Sequence, residues 1–286
     1  MEHYPVLKEK VLEFMKIKEG GIYVDATCGY GGHSKFILEN SKNITLIGID
    51  KDIEAVEKCR EFLKEYKNFK AVYGGFENLR EILKGLGIER IDGILFDLGF
   101  SLNQVKDPER GFGIYSEGPL DMRYDRNSPL TAGEILNRWS RKDLIRIFKD
   151  YGEIKNCEKV VEKIIERRKK REFKTTREFA DFISSVLSKR GKIHPATKFF
   201  LALRIAVNNE LEVLKKGLLE AAEVLKSSGR ILVISFNSLE DRIVKRFFKN
   251  RKDIGVITKK PIIPSDEEIK KNPASRSAKL RVGEKL

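Results

Sequence analysis

The stretch VDATCGYGGHSKFIL, residues 24–38, decides the fold. Apolar residues run up to Val24 and end on an acid, Asp25. Three glycines then fall within four positions, at Gly29, Gly31 and Gly32, and a polar run opens a helix. A strand that passes into a helix through small residues lets a ligand approach the backbone closely. The dinucleotide fingerprint is G-x-G-x-x-G, and Ser34 stands where its third glycine belongs. No GK[ST] follows, so a P-loop is absent too. A pyrophosphate is therefore disfavoured, and a cofactor with a ribose and no phosphate stays open.

Outward from that loop, strands alternate with helices. ITLIGID (44–50), FKAVYGGF (69–76) and IDGILFDLGF (91–100) read as further strands, with helical spacing over 52–66 and 77–87 between them. Strands this apolar, alternating with helices, predict an α/β fold with a parallel sheet covered on both faces. Asp50 closes the second strand, where a carboxylate can accept hydrogen bonds from both hydroxyls of a ribose. Asp97 closes the fourth. A glycine loop and two strand-end acids together point to S-adenosylmethionine and a methyltransferase. A nicotinamide-dependent oxidoreductase is the competing enzyme class, and the missing third glycine argues against it.

The next comparable strand, GRILVISF (229–236), follows a helix read over 210–229, and more than 130 residues separate Asp97 from Ser235. A crossover needs far fewer. A surplus on the order of 100 residues cannot be structureless in a compact fold, so an inserted domain is expected. Amphipathic patterns over 131–152, 156–170, 175–190 and 194–211 make that insert helical, with Thr175 or Thr176 capping the third helix opposite Glu178. Trp139 reads as core. Between residues 138 and 205 there are 20 Lys and Arg against 9 Asp and Glu, a net +11. The whole chain of 286 residues carries +14. So concentrated an excess favours a polyanion partner, although a charge run such as ERRKKREFK (166–174) alone reads equally as a solvated face.

Hydrophobic content of 41% and charged content of 35% describe a globular chain. Cys28, Cys59 and Cys157 are widely spaced and form no CxxC, and His3, His33 and His194 are scattered. Neither a disulfide framework nor a metal site is expected. MEHYPVLKEK lacks an apolar signal core and no run approaches 18 apolar residues, so the expected compartment is the reducing cytoplasm, with no membrane partner. The tail NPASRSAKLRVGEKL reads as disordered or lying along a polyanion.

Longer strings are more specific. YPVLKEKVLE, DATCGYGGHS, DGILFDLGFS, RGFGIYSEGPLDMRYD, HPATKFFLALRIAVNNEL, ISFNSLEDRIVKRFF and NPASRSAKLR occur in order over nearly the whole chain. They resemble the bacterial 16S ribosomal RNA cytosine-N4 methyltransferase family. The resemblance implies a Rossmann-like S-adenosylmethionine-dependent methyltransferase with an inserted all-helical domain. It divides the chain into methyltransferase residues 1–106 and 209–286 around a basic, RNA-recognising insert at 107–208. It also implies methylation of N4 of one cytidine near the decoding centre, within the 30S particle. Carried over by matching motifs, cofactor contacts fall on Gly31, Gly32, His33, Asp50, Phe76, Asp97 and Gln104, and Gly29 of the same loop is a further cofactor-binding candidate.

Cytosine N4 is a poor nucleophile, because its lone pair is delocalised into the ring. A placed acceptor for its amino hydrogens helps; resemblance in position to other amino-group methyltransferases suggests Asp97 or a neighbouring carbonyl, and Asp97 and Asn237 are the candidate catalytic residues. Asp97 can equally pair with the methionine ammonium, and both roles stay open. Phe100 can stack on a base that has left its stack. Arg110, Asp121 and Arg123 are candidates to wall the substrate pocket, although Asp121 and Arg123 can simply pair. Arg204 and Asn208 share a helix face and either pack the insert or touch RNA. Ser235 and Arg242 follow the fifth strand, on the edge where such sheets bind ligands. Two departures from the family pattern stand out: Asn237 where a histidine is usual, and GFSLNQ where GVSSPQ is usual. The first gives a non-enzymatic RNA binder some support, although an asparagine can still position a base.

Overall fold

The computed structural model describes residues 5–187 and 193–286. The chain runs through α1 (Lys8–Met15), β1 (Ile22–Asp25), α2 (Gly32–Glu39), β2 (Thr45–Asp50), α3 (Ile53–Phe62), β3 (Phe69–Tyr73), α4 (Leu79–Gly85) and β4 (Ile91–Asp97). It continues through α5 (Leu102–Lys106), α6 (Ala132–Arg138), α7 (Arg141–Asp150), α8 (Glu158–Lys170), α9 (Thr176–Val186) and α10 (Thr197–Asn208). It then returns through α11 (Glu210–Val224), β5 (Leu225–Ser235), α12 (Ser238–Asn250), β6 (Ile254–Val256), α13 (Asp266–Lys271) and β7 (Lys279–Lys285). Two compact units result. One joins residues up to Gly99 with Leu211–Leu286, and the other is Phe100–Glu210.

In the first unit the sheet order is β3-β2-β1-β4-β5-β7-β6. The first five strands are parallel, and β7 lies antiparallel between β5 and β6. Side chains alternate across a strand, and here the two faces feed two cores. Val24, Ile47, Ile94, Phe96 and Ile231 pack with Leu79, Leu83, Leu218 and Val244 on one side. Tyr23, Leu46, Leu95 and Leu232 pack with Val11, Ile37 and Val56 on the other. That is why the centre of β4, Ile94 to Phe96, reads as an apolar run. Strand order reverses between β1 and β4, so the crevice beyond their carboxyl ends is the position where such sheets bind ligands.

The C-terminal tail is a correction. It is neither disordered nor extended along a partner, because β7 fills a place in the sheet with Leu280 and Val282 fully buried. Its charges are neutralised locally: Arg281 pairs with Asp241 at 2.7 Å and Lys285 with Asp253 at 2.7 Å. The helix expected over 210–229 ends at Val224. Residues 225–228 already belong to β5, where Ser228 takes a left-handed φ of 63° and the register with β4 shifts between Ile91 and Gly93.

In the second unit, helices enclose a core that includes Leu136, Leu144, Phe148, Val161, Ile164, Phe179, Phe199 and Leu203. The single helix expected over 131–152 is two, α6 and α7. The break falls at Trp139, and Ser140 restarts the helix by accepting the Asp143 N–H at 3.1 Å. Trp139 packs against the core. Thr175 caps α9 by accepting from Glu178 N. The Glu178 carboxylate, however, turns to Lys174 N and Arg167 rather than completing a capping box. The expected end of that helix, residues 188–190, lies outside the described residues.

Candidate active site

The glycine loop is held by the strand ends it leaves. Ala26 N donates to Leu95 O at 2.8 Å and Cys28 N to Ile49 O at 3.0 Å, tying the loop to both neighbours of β1. Gly29 and Gly31 take φ of 49° and 89°, a region that costs other residues strain. A Cβ on Gly31 would stand 3.0 Å from Cys59 Sγ and 3.1 Å from Leu63 Cδ1, so this glycine lets α2 approach α3. A Cβ on Gly29 would meet almost nothing, which leaves the backbone there open to a ligand. Gly32 and His33 are the first residues of α2, whose N-terminus has no side-chain cap.

Three carboxyl groups line the strand ends. Asp50 accepts from Gly29 N and Asp52 N, each at 2.9 Å, and burial pushes its pKa up to about 6 against those two bonds. Asp25 is buried, accepts from Ser34 Oγ at 2.7 Å, and is raised by that burial. Asp97 is oriented through its backbone, whose N–H donates to Thr27 Oγ1 at 2.7 Å. Its Oδ2 lies 3.4 Å from His33 Nδ1, while Oδ1 is buried with no hydrogen-bond partner among the described residues. Burial raises its pKa to about 6, with His33 opposing and Asp25 adding to the rise.

His33 is fixed from its other side, with Nε2 2.9 Å from Val6 O. A ring whose Nε2–H donates to Val6 O presents its Nδ1 lone pair toward Asp97. Sequence spacing names both residues but gives no sign that they meet.

Phe76 follows β3 and sits edge-on to Phe96, with ring centroids 5.2 Å apart. It fits only because α11 carries a glycine: a Cβ on Gly217 would stand 2.4 Å from the Phe76 ring. Beside it, Glu77 pairs with Lys51, the residue after Asp50, at 2.5 Å. Sequence reasoning missed Gly217, Lys51 and Glu77. A small residue on a helix otherwise rich in leucine was the available signal for the first.

At the end of β5, Ser235 is buried and its hydroxyl reaches Lys279 O at 3.4 Å. Asn237 is the N-cap of α12, with Oδ1 accepting from Leu239 N and Glu240 N, each at 3.0 Å. Glu240 completes the capping box through Phe236 N at 2.9 Å and Asn237 N at 3.4 Å. Arg242 is exposed on α12.

The remaining candidates lie in the second unit. Gln104 is the N3 residue of a capping box with Ser101. Arg110 is buried and donates to the carbonyls of Arg123 and Tyr124 at 3.1 Å. Asp121 and Arg123 pair through two bonds of 2.7 and 2.9 Å. Burial opposes ionisation of Asp121, yet the Arg123 bonds hold its pKa below the ordinary value. Asn208 clips the same segment, accepting from Tyr124 N at 2.8 Å and donating to Met122 O at 2.7 Å. Arg204 pairs with Glu210 at 2.7 and 2.8 Å and lies over the Phe100 ring at 4.9 Å. Asp121, Arg123, Arg204 and Asn208 are thus each bonded within this unit.

Among the described residues, no group of His, Cys, Asp or Glu is arranged to hold a metal ion, and no helix is long and apolar enough to cross a membrane.

Full-length relatives share this sequence. A "Ribosomal RNA small subunit methyltransferase H" of Sulfurihydrogenibium sp. (strain YO3AOP1) is 50% identical, covering 100% of both chains. One of Persephonella marina is 48% identical over the same shares. Among solved structures, a Streptococcus mutans protein classed with the methyltransferases, in complex with SAH, covers 100% of both chains at a TM-score of 0.50 and 14% identity, a likeness of fold. The model of the MraW methylase family matches residues 1–286, and the chain belongs to that family.

Proposed function

We propose that the chain transfers the methyl group of S-adenosylmethionine to the exocyclic N4 of a cytidine in 16S ribosomal RNA, in the cytoplasm and on the assembling or assembled small subunit. The observation that carries this reading is Asp97, a strand-end carboxyl at the switch point of the sheet with Oδ2 3.4 Å from His33 Nδ1 and Oδ1 buried with no hydrogen-bond partner among the described residues. The residues present fit the cofactor. Asp50 has spent two of its four lone-pair sites on Gly29 and Asp52 and keeps two for ribose hydroxyls. Gly29 leaves the backbone open, the uncapped α2 N-terminus suits a carboxylate, and Phe76 flanks a flat ring. Bound there, the cofactor supplies an electrophilic methyl carbon on a sulfonium.

Near neutral pH, Asp97 is mostly carboxylate, because its pKa of about 6 lies below the working range. Oδ1 accepts an N4–H bond, which localises the lone pair on nitrogen and aims it at the methyl carbon. As a donor bound there passed its methyl carbon to N4 and its S–C bond broke, the half-buried Asp97 carboxylate would stabilise the positive charge growing on N4. Asp97 then takes up the proton that N4 sheds. His33, anchored on Val6 O, stands beside Oδ2 at 3.4 Å. The target base must leave its stack or come from a single-stranded segment.

The second unit is the RNA-recognising part of this proposal. Arg167 and Arg168, near the end of α8, are bonded to Glu178 and to Leu136 O, while Lys169 and Lys170 are exposed. Those exposed lysines suit phosphate contacts. Small subunits lacking the modification, incubated with the chain and methyl-labelled S-adenosylmethionine, test the reading. Labelled N4-methylcytidine after nuclease digestion is expected. Small subunits that bind the chain and gain no label contradict it.

A further inference from the structure

Asn237 occupies a position where its amide cannot turn over. Both α12 cap bonds, from Leu239 N and Glu240 N, enter Oδ1, so that atom is the oxygen and Nδ2 is a donor of fixed direction. Glu240 fixes the backbone on the other side of the box. Nδ2 is buried and has no hydrogen-bond partner among the described residues. Asp97 ends the adjacent strand. Its register partner is Ile234, and Leu98 N donates to Ile234 O at 2.9 Å, which holds the ends of β4 and β5 side by side. One strand end thus presents a buried acceptor, Asp97 Oδ1, and its neighbour presents a buried donor, Asn237 Nδ2.

We infer that this pair reads the Watson–Crick edge of the target base, Asn237 donating to the ring nitrogen N3 of cytosine while Asp97 accepts from N4. The inference rests on the reaction proposed above and adds a base-reading residue to it. Uracil presents an acceptor at position 4 and a donor at N3, so both contacts become repulsive. Guanine presents the same reversed pattern at O6 and N1. Adenine matches in polarity, and its larger ring has to be excluded by the size of the site. Asparagine performs this task without acting as a base, which reconciles it with turnover: the cap takes its oxygen and the substrate takes its nitrogen.

Two substitutions separate cap from donor. Asn237→Asp keeps an N-cap of equal rank and turns the donor into an acceptor; Asn237→Gly keeps most of the cap and removes the side chain. Methyl transfer to small subunits, S-adenosylmethionine affinity by calorimetry and thermal midpoint are measured for each. Both variants are expected to lose about 100-fold in kcat/KM while cofactor affinity and midpoint stay near those of the parent chain. The activity of Asn237→Asp relative to the parent chain is further expected to rise as pH falls, because a protonated carboxyl can donate, whereas that of Asn237→Gly stays flat. A helix cap alone would give no such pH response. Parent-chain transfer with either variant within about twofold of it would overturn the inference alone. A parent chain that transfers no methyl to cytosine would overturn the proposed reaction and the inference with it.

Discussion

His33 and Asp97 face one another at the switch point of the sheet, with Nδ1 3.4 Å from Oδ2 and the far ring nitrogen anchored on Val6 O. Replacing the carboxyl by an amide keeps this contact, since an Asn amide can donate to Nδ1, but removes the charge. The folded-state pKa of Asp97, about 6, lies above its ordinary 3.8. Its contribution to stability is therefore fully present below pH 4 and is lost as pH rises through 6. Asp97→Asn is expected to melt above the parent chain at pH 8, by on the order of 2 kcal/mol in stability, and to lose that advantage by about pH 4. Thermal denaturation across that range checks it.

Gly31 and Gly85 make a matched pair. At Gly31 a Cβ would press on Cys59 and Leu63 at a φ of 89°, whereas at Gly85, on α4, nothing lies within 4 Å. Gly31→Ala should lose about 1–3 kcal/mol and weaken cofactor binding, while Gly85→Ala should gain about 0.4–1 kcal/mol and leave cofactor binding unchanged. Denaturant melts and calorimetric titration with S-adenosylmethionine report both.

Gly217→Ala puts a Cβ 2.4 Å from the Phe76 ring, which has to leave its edge contact with Phe96. Cofactor affinity is expected to fall about tenfold, with a destabilisation of about 1–3 kcal/mol. Phe76→Leu, which relieves the crowding, should restore stability to Gly217→Ala without restoring affinity.

In the second unit, structural clips can be told apart from the proposed RNA contacts by substitution. Asn208→Ala removes bonds to Tyr124, Met122 and Arg204 and is expected to cost about 1–3 kcal/mol, leaving the salt dependence of RNA binding unchanged. Lys169→Ala with Lys170→Ala should leave stability alone and reduce the slope of log affinity against log salt by about 1 per lysine. Filter binding to small-subunit RNA over a salt series distinguishes the two.

What the sequence disclosed follows from where its signals are local. β4 is legible because both of its faces are buried, so every central residue is apolar. The strand-end acids are legible because position in a parallel sheet assigns them a role. β7 was not, because KLRVGEK alternates apolar with charged residues and its cations look solvated until Asp241 and Asp253 are brought opposite them. The break between α6 and α7 hid because apolar spacing continues from Leu136 to Leu144 across it, although Ser140 followed by Asp143 was a cap signal. The His33–Asp97 contact and the place Gly217 makes for Phe76 depend on separate stretches of chain meeting, which no spacing records.

The central claim is that the Asp97 carboxylate accepts the N4 hydrogen as the methyl group moves. Single-turnover methyl transfer to small subunits, followed from pH 5 to 8 at saturating cofactor, tests it most directly. The expected parent-chain rate rises through an apparent pKa near 6 and levels off above it, and Asp97→Asn is about 100-fold slower with that limb gone. An Asp97→Asn chain that binds the cofactor and transfers within a few-fold of the parent rate, with the same pH profile, would contradict it.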